Sequence, residues 1–270
     1  MSRLAECFKQ LKQRGRKALV PYVVAGDPQP EVTVDLMHCL VAKGADIIEL
    51  GIPFSDPMAE GPVIQLAHER ALHHHVSLSN ALDMVARFRD TDSSTPIVLM
   101  GYANPVEHMG YEVFAQRAKA AGIDGLLTVD MPPEEAEEPS RIMKAHDIDC
   151  IFLLAPTSSD ERIAKVASLA TGYLYYVSLK GVTGAGNLDV ESVSANLTKI
   201  KSYTDLPVTV GFGIKDGKSA ASLAGLCEGV VVGSALVERL AKVDVSQDTG
   251  PQIDEALGLI GEIRQAIDAV

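Results

Sequence analysis

The chain has 270 residues, of which 47% are hydrophobic and 22% charged, a composition that excludes a disordered or fibrous protein. The formal net charge of -12 at pH 7 would repel a phosphate backbone, so we expect no nucleic-acid partner. The four scattered cysteines and the lack of long apolar runs predict a cytoplasmic protein with reduced thiols and no metal or membrane association. Near the start, Leu4, Phe8 and Leu11 have helical spacing among charges, unlike a signal peptide.

Eight short β-rich apolar runs follow one another along the chain, and segments with helical periodicity separate them. The runs are 18–24, 46–50, 96–100, 124–129, 150–154, 173–178, 207–210 and 229–233. The helical segments are 31–43, 79–89, 111–121, 134–145, 159–169, 189–202, 216–225 and 234–241. Such alternation predicts parallel strands joined by right-handed crossovers.

Eight units favour a single-domain (β/α)8 TIM barrel over residues 1–270, although an open doubly wound sheet has the same local pattern. Pro133, followed by Glu134 and Glu135, predicts the start of the helical segment 134–145. The segment 51–76 is too long for an ordinary connection between a strand and a helix, and we interpret it as a functional loop.

Glu49 ends the second predicted strand and shares a strand face with Ile47. Inward side chains near the carboxyl ends of barrel strands line the active site. Burial there would raise the pKa of Glu49 and suit it to general acid and base chemistry, whereas a Glu at a strand end can also simply face solvent. The following loop adds two more carboxylates, Asp56 and Glu60, which alone would also fit an ordinary surface turn.

Three glycine-bearing turns follow the last three predicted strands: 181–187, 211–217 and 233–237. Glycine lets the backbone approach a phosphate closely, and Ser234 can add a hydroxyl donor at the start of a helix. Barrel enzymes often build a phosphate site from the loops after strands seven and eight, although each turn alone could serve only the chain reversal. We therefore expect a small phosphorylated substrate.

The sequence contains the segments ELGIPFSDPMAEGPVIQ, YYVSLKGVTGAG, VGFGI and VVVGSALV, and the shorter segments AGDP, GYANP and VDMPPEE after the first, third and fourth strands. Together these segments resemble the α subunit family of tryptophan synthase. The resemblance runs essentially from end to end. It implies retro-aldol cleavage of indole-3-glycerol phosphate to indole and glyceraldehyde 3-phosphate, a lyase reaction of tryptophan biosynthesis.

The resemblance implies two catalytic carboxylates. Glu49 would protonate C3 of the indole ring and help to remove the side-chain hydroxyl proton, while Glu60 would receive or stabilise the indole N–H. The family pattern has Asp at the second position, and Glu60 keeps the charge and acceptor capacity but reaches one methylene further. A mobile loop would absorb this difference, whereas a rigid loop would misplace the acceptor. We expect Glu60 to act as the second carboxylate.

The resemblance also implies the substrate contacts. Thr183 would close over the substrate and orient Glu49, and Gly184, Gly213, Gly233 and Ser234 would bind the phosphate. The apolar pocket for the indole would be formed by Tyr22, Met100, Leu127, Tyr175 and Phe212, with Tyr22 and Met100 standing where Phe and Leu are usual. Any one of these five could instead be ordinary barrel filling.

Asp56, Asn104 and Pro132 would face a β subunit in an α2β2 heterotetramer. Pyridoxal phosphate is expected only in that β partner, and the present chain should need no cofactor. His73, His74 and His75 are adjacent and cannot easily chelate one ion, so no metal site is predicted.

Three functional alternatives stay open on sequence alone. The glycine turns also fit another phosphate-binding barrel, such as an isomerase or synthase of histidine or tryptophan biosynthesis. The Glu49 segment argues against this alternative. A stand-alone indole-releasing lyase differs only in complex formation. A noncatalytic regulatory subunit would bind ligand and activate a β partner without cleaving the ligand. In that case Glu60 would indicate that catalytic activity has been lost.

Overall fold

Eight parallel strands form a closed barrel in the computed structural model, which describes residues 2–177, 190–211 and 213–270. Each strand pairs with its neighbours in chain order, and the last pairs with the first. This closed topology confirms the predicted TIM barrel and excludes the alternative of an open doubly wound sheet. The strands are β1 (Ala18–Val24), β2 (Ile48–Gly51), β3 (Ile97–Gly101), β4 (Gly125–Thr128), β5 (Asp149–Leu154), β6 (Leu174–Val177), β7 (Val208–Gly211) and β8 (Gly229–Val232).

Helices surround the barrel. The described ones are α1 (Arg3–Gln13), α2 (Thr33–Ala42), α3 (Pro62–His73), α4 (Leu78–Arg89), α5 (Ala103–Met109), α6 (Tyr111–Ala121), α7 (Glu137–Ala145), α8 (Asp160–Leu169), α9 (Val190–Lys201), α10 (Gly217–Ala224), α11 (Ser234–Leu240), α12 (Thr249–Ala256) and α13 (Gly258–Asp268). Among them, no helix combines the length and apolar character needed to cross a membrane.

The barrel interior is filled by alternate residues of the strands, and helix α1 covers its amino-terminal end. Leu4, Phe8 and Leu11 lie on one stripe of α1 and belong to the same buried cluster as Ile47 and Val98 of the interior. Sealing this end leaves the opposite end, where the strands run into their longer connections, as the open mouth of the barrel.

Two predicted boundaries are wrong. The segment 51–76 is not only a loop, because it contains helix α3. Pro62 occupies the first helical position, where a backbone N–H would have no partner within the helix, so proline is favoured there. Helix α7 begins at Glu137 instead of near Pro133, and residues 133–135 form a turn closed by the Glu135 N–H donating to the Pro132 carbonyl at 3.0 Å. Acidic residues do occupy the first turn of α7, one turn later than predicted.

Helices α5, α12 and α13 were not predicted, and α13 packs against α10 outside the barrel. The amino terminus of α4 has a capping box: the Ser77 side chain accepts from the Asn80 N–H, and Asn80 accepts from the Ser77 N–H at 2.9 Å. These reciprocal bonds stabilise the turn that follows α3.

Candidate active site

Glu49 points into the barrel from β2, as its strand face predicts. It lies beside Tyr22 of β1 and Val98 of β3, and its exposed fraction is 0%. The Tyr173 hydroxyl donates to Glu49 Oε1 at 2.6 Å, whereas Oε2 has no hydrogen-bond partner among the described residues. Burial raises the pKa of Glu49 to about 7, against the lowering effect of the Tyr173 hydrogen bond. A carboxyl group in this state can both give and accept a proton near neutral pH.

Glu60 reaches the same interior from the segment between β2 and α3. Its side chain is only 7% exposed, and neither carboxylate oxygen makes a hydrogen bond within the described part of the chain. An unsatisfied buried acceptor costs about 1–3 kcal/mol, and more if it is charged. The site therefore holds an acceptor that a substrate N–H could satisfy.

The segment that carries Glu60 is anchored on both sides. The Ala59 N–H donates to the Tyr102 hydroxyl at 2.9 Å, and the Phe54 ring stacks on Tyr102 with 4.9 Å between centroids. The Gln65 side-chain amide donates to the Glu60 carbonyl at 2.9 Å. These contacts fix the backbone from which the Glu60 side chain projects.

Tyr22 and Tyr175 place their hydroxyl groups over glycines of the barrel wall. A Cβ added to Gly51 would lie 2.3 Å from the Tyr22 hydroxyl, and one added to Gly211 would lie 2.0 Å from the Tyr175 hydroxyl. Both glycines leave room for a ring that a larger residue would displace. Burial raises the pKa of each tyrosine well above its ordinary value, and the nearby carboxylates of Glu49 and Glu60 raise it further.

Met100 and Leu127 extend the apolar wall next to these rings. Met100 pairs with Gly51 on one side and with Leu127 on the other, so the two side chains lie at one level of the sheet. Leu127 is fully buried, whereas Met100 is partly buried. The two carboxylates, the two tyrosines and these apolar side chains are therefore neighbours in the barrel interior.

Three of the four predicted phosphate residues, Gly213, Gly233 and Ser234, lie after β7 and β8. Gly213 has a φ of +76°, which favours glycine, and a Cβ there would meet nothing within 4 Å. Gly233 precedes α11, whose first residue is the exposed Ser234, and the first N–H groups of a helix have no acceptor inside it. The other predicted substrate residues, Thr183, Gly184 and Phe212, lie outside the described residues.

The three predicted partner residues lie on consecutive connections after β2, β3 and β4. Asp56 and Asn104 are exposed and Pro132 is half-buried. The neighbouring Met58 is 85% exposed, the most exposed large apolar side chain of the described residues, and sequence reasoning missed it. The rim on this side of the mouth therefore presents both polar and apolar surface.

His68 is a further site residue that sequence reasoning missed. It is 1% exposed on α3, in a stripe with Ile64, Ala67 and Ala71. Its Nε2 atom lies 2.9 Å from Glu60 Oε2. In the sequence, His68 stands four residues after Ile64, so both lie on the buried face if this segment is a helix. That pattern could have identified His68, but only after α3 had been recognised as a helix.

Comparison with known proteins gives the family. The family model "Tryptophan synthase alpha chain" matches residues 8–267. The tryptophan synthase alpha chain of Thioalkalivibrio sulfidiphilus is 57% identical over 268 residues, covering 99% of this chain and 100% of the relative. That of Methylococcus capsulatus is 56% identical over 270 residues, covering 100% of both. This chain belongs to the tryptophan synthase alpha chain family.

Solved structures of the family share the fold. The subunit alpha structure from Legionella pneumophila has a TM-score of 0.93 and 46% identity, covering 100% of both chains. A chain of tryptophan synthase from M. tuberculosis has a TM-score of 0.87 and 34% identity over 99% of both chains. Family membership removes the other phosphate-binding barrels as alternatives, and it confirms the resemblance drawn from the loop motifs.

Among the described residues of this family member, no group of three or more His, Cys, Asp or Glu side chains is arranged to hold a metal ion. His73 is the last residue of α3, and His75 has a φ of +57°, so the chain turns away within the three-histidine run. The run contributes no side chain to the site built by Glu49 and Glu60.

Proposed function

We propose that this tryptophan synthase alpha chain cleaves indole-3-glycerol phosphate to indole and glyceraldehyde 3-phosphate, with Glu49 and Glu60 as its catalytic carboxylates. The observation that carries the proposal is the pair itself. Both carboxylates are buried in the barrel interior, and each has an oxygen without a partner among the described residues. Buried carboxylates without partners are costly, and such groups cluster at functional sites.

Glu49 acts as both acid and base in the proposed mechanism. It enters the cycle protonated and delivers its proton to C3 of the indole ring, where the proton stays in the product. The resulting carboxylate takes the proton of the side-chain hydroxyl on the carbon attached to C3 as the bond between these carbons breaks. This carbon becomes the aldehyde of glyceraldehyde 3-phosphate, and Glu49 is protonated again. A pKa of about 7 suits both transfers.

Glu60 interacts with the proton on the indole nitrogen in the proposed mechanism. As C3 is protonated, positive charge develops on the indole nitrogen, and the Glu60 carboxylate accepts or stabilises the N–H proton. When the bond breaks, its electrons return to the ring and the nitrogen keeps or regains the proton. Glu60 thus starts and ends as a carboxylate, and no external acid, base or redox partner is consumed.

Binding and partner contacts complete the proposal. Tyr22, Met100, Leu127 and Tyr175 would enclose the indole, while the backbone at Gly213, Gly233 and Ser234 would bind the phosphate. We also propose that Thr183, Gly184 and Phe212 contact the substrate, on the strength of the loop motifs alone.

The family name implies a complex with a β subunit. We propose an α2β2 heterotetramer in which the rim at Asp56, Asn104 and Pro132 faces the β subunit and receives the indole. The chemistry above needs no cofactor in this chain, and we expect pyridoxal phosphate only in the β subunit.

The test is an assay of glyceraldehyde 3-phosphate release from indole-3-glycerol phosphate, with the chain alone and with a tryptophan synthase β subunit. We expect cleavage that the β subunit enhances and that Glu49→Gln lowers by about 10²–10⁴-fold. Glu255→Gln, which neutralises an exposed carboxylate on α12, is the matched control and should keep full activity. Substrate binding without cleavage under either condition would instead indicate a regulatory subunit.

A further inference from the structure

His68 contacts two residues of the candidate active site, Glu60 and Tyr22. Its Nε2 atom lies 2.9 Å from Glu60 Oε2 and 3.4 Å from the Tyr22 hydroxyl. The imidazole is buried, with a side-chain exposure of 1%. One histidine therefore contacts both the candidate proton acceptor and a ring of the indole pocket.

The protonation state of His68 follows from its other nitrogen. The Phe54 N–H donates to His68 Nδ1 at 3.0 Å, so Nδ1 is an acceptor and carries no proton. The ring is then neutral with its proton on Nε2, the nitrogen that faces Glu60 and Tyr22. His68 thus presents a single N–H donor to the site rather than a full positive charge.

The Nε2–H of His68 does not yet form a hydrogen bond with Glu60. The contact of Nε2 with the Tyr22 hydroxyl meets hydrogen-bond geometry, whereas the closer contact with Glu60 Oε2 does not, and both Glu60 oxygens stay unsatisfied within the described residues. Holding Oε2 therefore requires the Glu60 carboxyl to turn until Oε2 lies in line with the Nε2–H. Oε1 would then be the free acceptor.

His68 itself is held firmly. Helix α3 is tied to the loop after β1 by Arg70, which donates to both oxygens of the buried Asp27 at 2.6 and 3.0 Å. The Phe54 N–H fixes the plane of the imidazole from the other side. A group whose orientation is set by the backbone and by packing can orient a second group that touches the substrate.

We propose that His68 is a positioning residue for the cleavage reaction, holding Glu60 Oε2 so that Oε1 accepts the indole N–H. The Glu60 side chain is long and flexible, so without a fixed partner its carboxylate would occupy several positions. A fixed donor at Nε2 selects one of these positions. The inference rests on the proposed function, because only an indole N–H gives Glu60 this task.

The kinetic test is a double-mutant cycle with His68→Leu and Glu60→Gln in the full chain with the β subunit. We expect His68→Leu to lower kcat by about 10–100-fold with little change in KM, as for other groups that orient a catalytic residue. In the Glu60→Gln background the same change should cost less than about threefold, because the group that it positions is already lost. An equal loss in both backgrounds would overturn the proposal.

Two further variants separate positioning from folding. His68→Gln keeps an N–H donor near the Nε2 position and should recover part of the lost kcat, whereas His68→Leu keeps only bulk. His146→Leu, on the surface turn after α7, is the matched histidine control and should keep full activity. If His68→Gln is as impaired as His68→Leu while both unfold at the wild-type temperature, the donor has no role.

A measurement without substrate distinguishes this inference from the proposed function. Nitrogen NMR of the imidazoles should show His68 as the neutral tautomer with its proton on Nε2. The Nε2–H resonance should shift in Glu60→Gln and stay unchanged in Glu255→Gln. A proton on Nδ1, or no response to Glu60→Gln, would overturn the positioning role even if the chain cleaves indole-3-glycerol phosphate. The expected NMR result in a chain without cleavage would instead count against the proposed function.

Discussion

Replacing Glu49 with Gln should raise the stability of the protein at neutral and alkaline pH while it lowers the activity. Burial moves the pKa of Glu49 from its ordinary 4.5 to about 7. At about 1.4 kcal/mol per pKa unit, this difference corresponds to about 3 kcal/mol between the protonated and ionised forms. Gln keeps an oxygen that can accept the Tyr173 hydrogen bond, so the substitution removes the charge with little change in packing.

The folded and unfolded states prefer different protonation forms of Glu49, and this preference sets the sign of the stability difference. Because the folded protein binds this proton more tightly than the unfolded chain, the favourable contribution is complete below pH 4.5 and is lost as the pH rises through about 7. Above pH 7 the wild type must bury an ionised carboxylate, whereas Glu49→Gln does not. The variant should therefore be more stable by about 3 kcal/mol at pH 8, and the difference should shrink toward zero near pH 4.5.

Thermal unfolding followed by circular dichroism at pH 5 and at pH 8 measures this difference. For a chain of this length, about 3 kcal/mol corresponds to an increase in Tm of about 5 °C at pH 8. Glu255→Gln, the exposed control, should unfold at the wild-type temperature at both pH values. An equal Tm for wild type and Glu49→Gln at pH 8 would refute the conclusion that Glu49 is ionised at a buried position.

Four more predictions follow from the same contacts. The value of kcat/KM should fall above about pH 7 in a pH–rate profile, because the cycle starts from protonated Glu49, and a flat profile from pH 6 to 9 would contradict this. Gly51→Ala should lower kcat/KM and cost about 1–3 kcal/mol in urea unfolding, since its Cβ would lie 2.3 Å from the Tyr22 hydroxyl. Arg70→Met should cost about 3 kcal/mol by leaving the buried Asp27 carboxylate unpaired, and an unchanged urea midpoint would disprove the pairing. Ser77→Ala should cost about 1 kcal/mol in the same assay through loss of the α4 cap, with unchanged kcat/KM.

Local patterns along the chain were enough to predict alternating parallel strands and helices, and the count of eight strands favoured a barrel over an open sheet. Several strands, such as β1, β2, β7 and β8, are short, mainly apolar runs buried on both faces, so they can be recognised from the sequence without tertiary information. The inward orientation of Glu49 followed in the same way from its parity with Ile47 on one strand. Glu60 and the phosphate residues required more, because only the family resemblance separated them from ordinary turn residues.

The properties that make this a reactive site depend on residues far apart in the chain. Tyr173, the donor to Glu49, is 124 positions away, and the burial that raises the pKa of Glu49 comes from side chains of several strands. His68 was missed for the same reason. Nothing in the neighbouring letters shows that its Nδ1 accepts from Phe54 while its Nε2 faces Glu60 and Tyr22. Periodicity reports the face on which a side chain lies, whereas proton affinity and orientation depend on the groups that the closed barrel brings within a few ångströms.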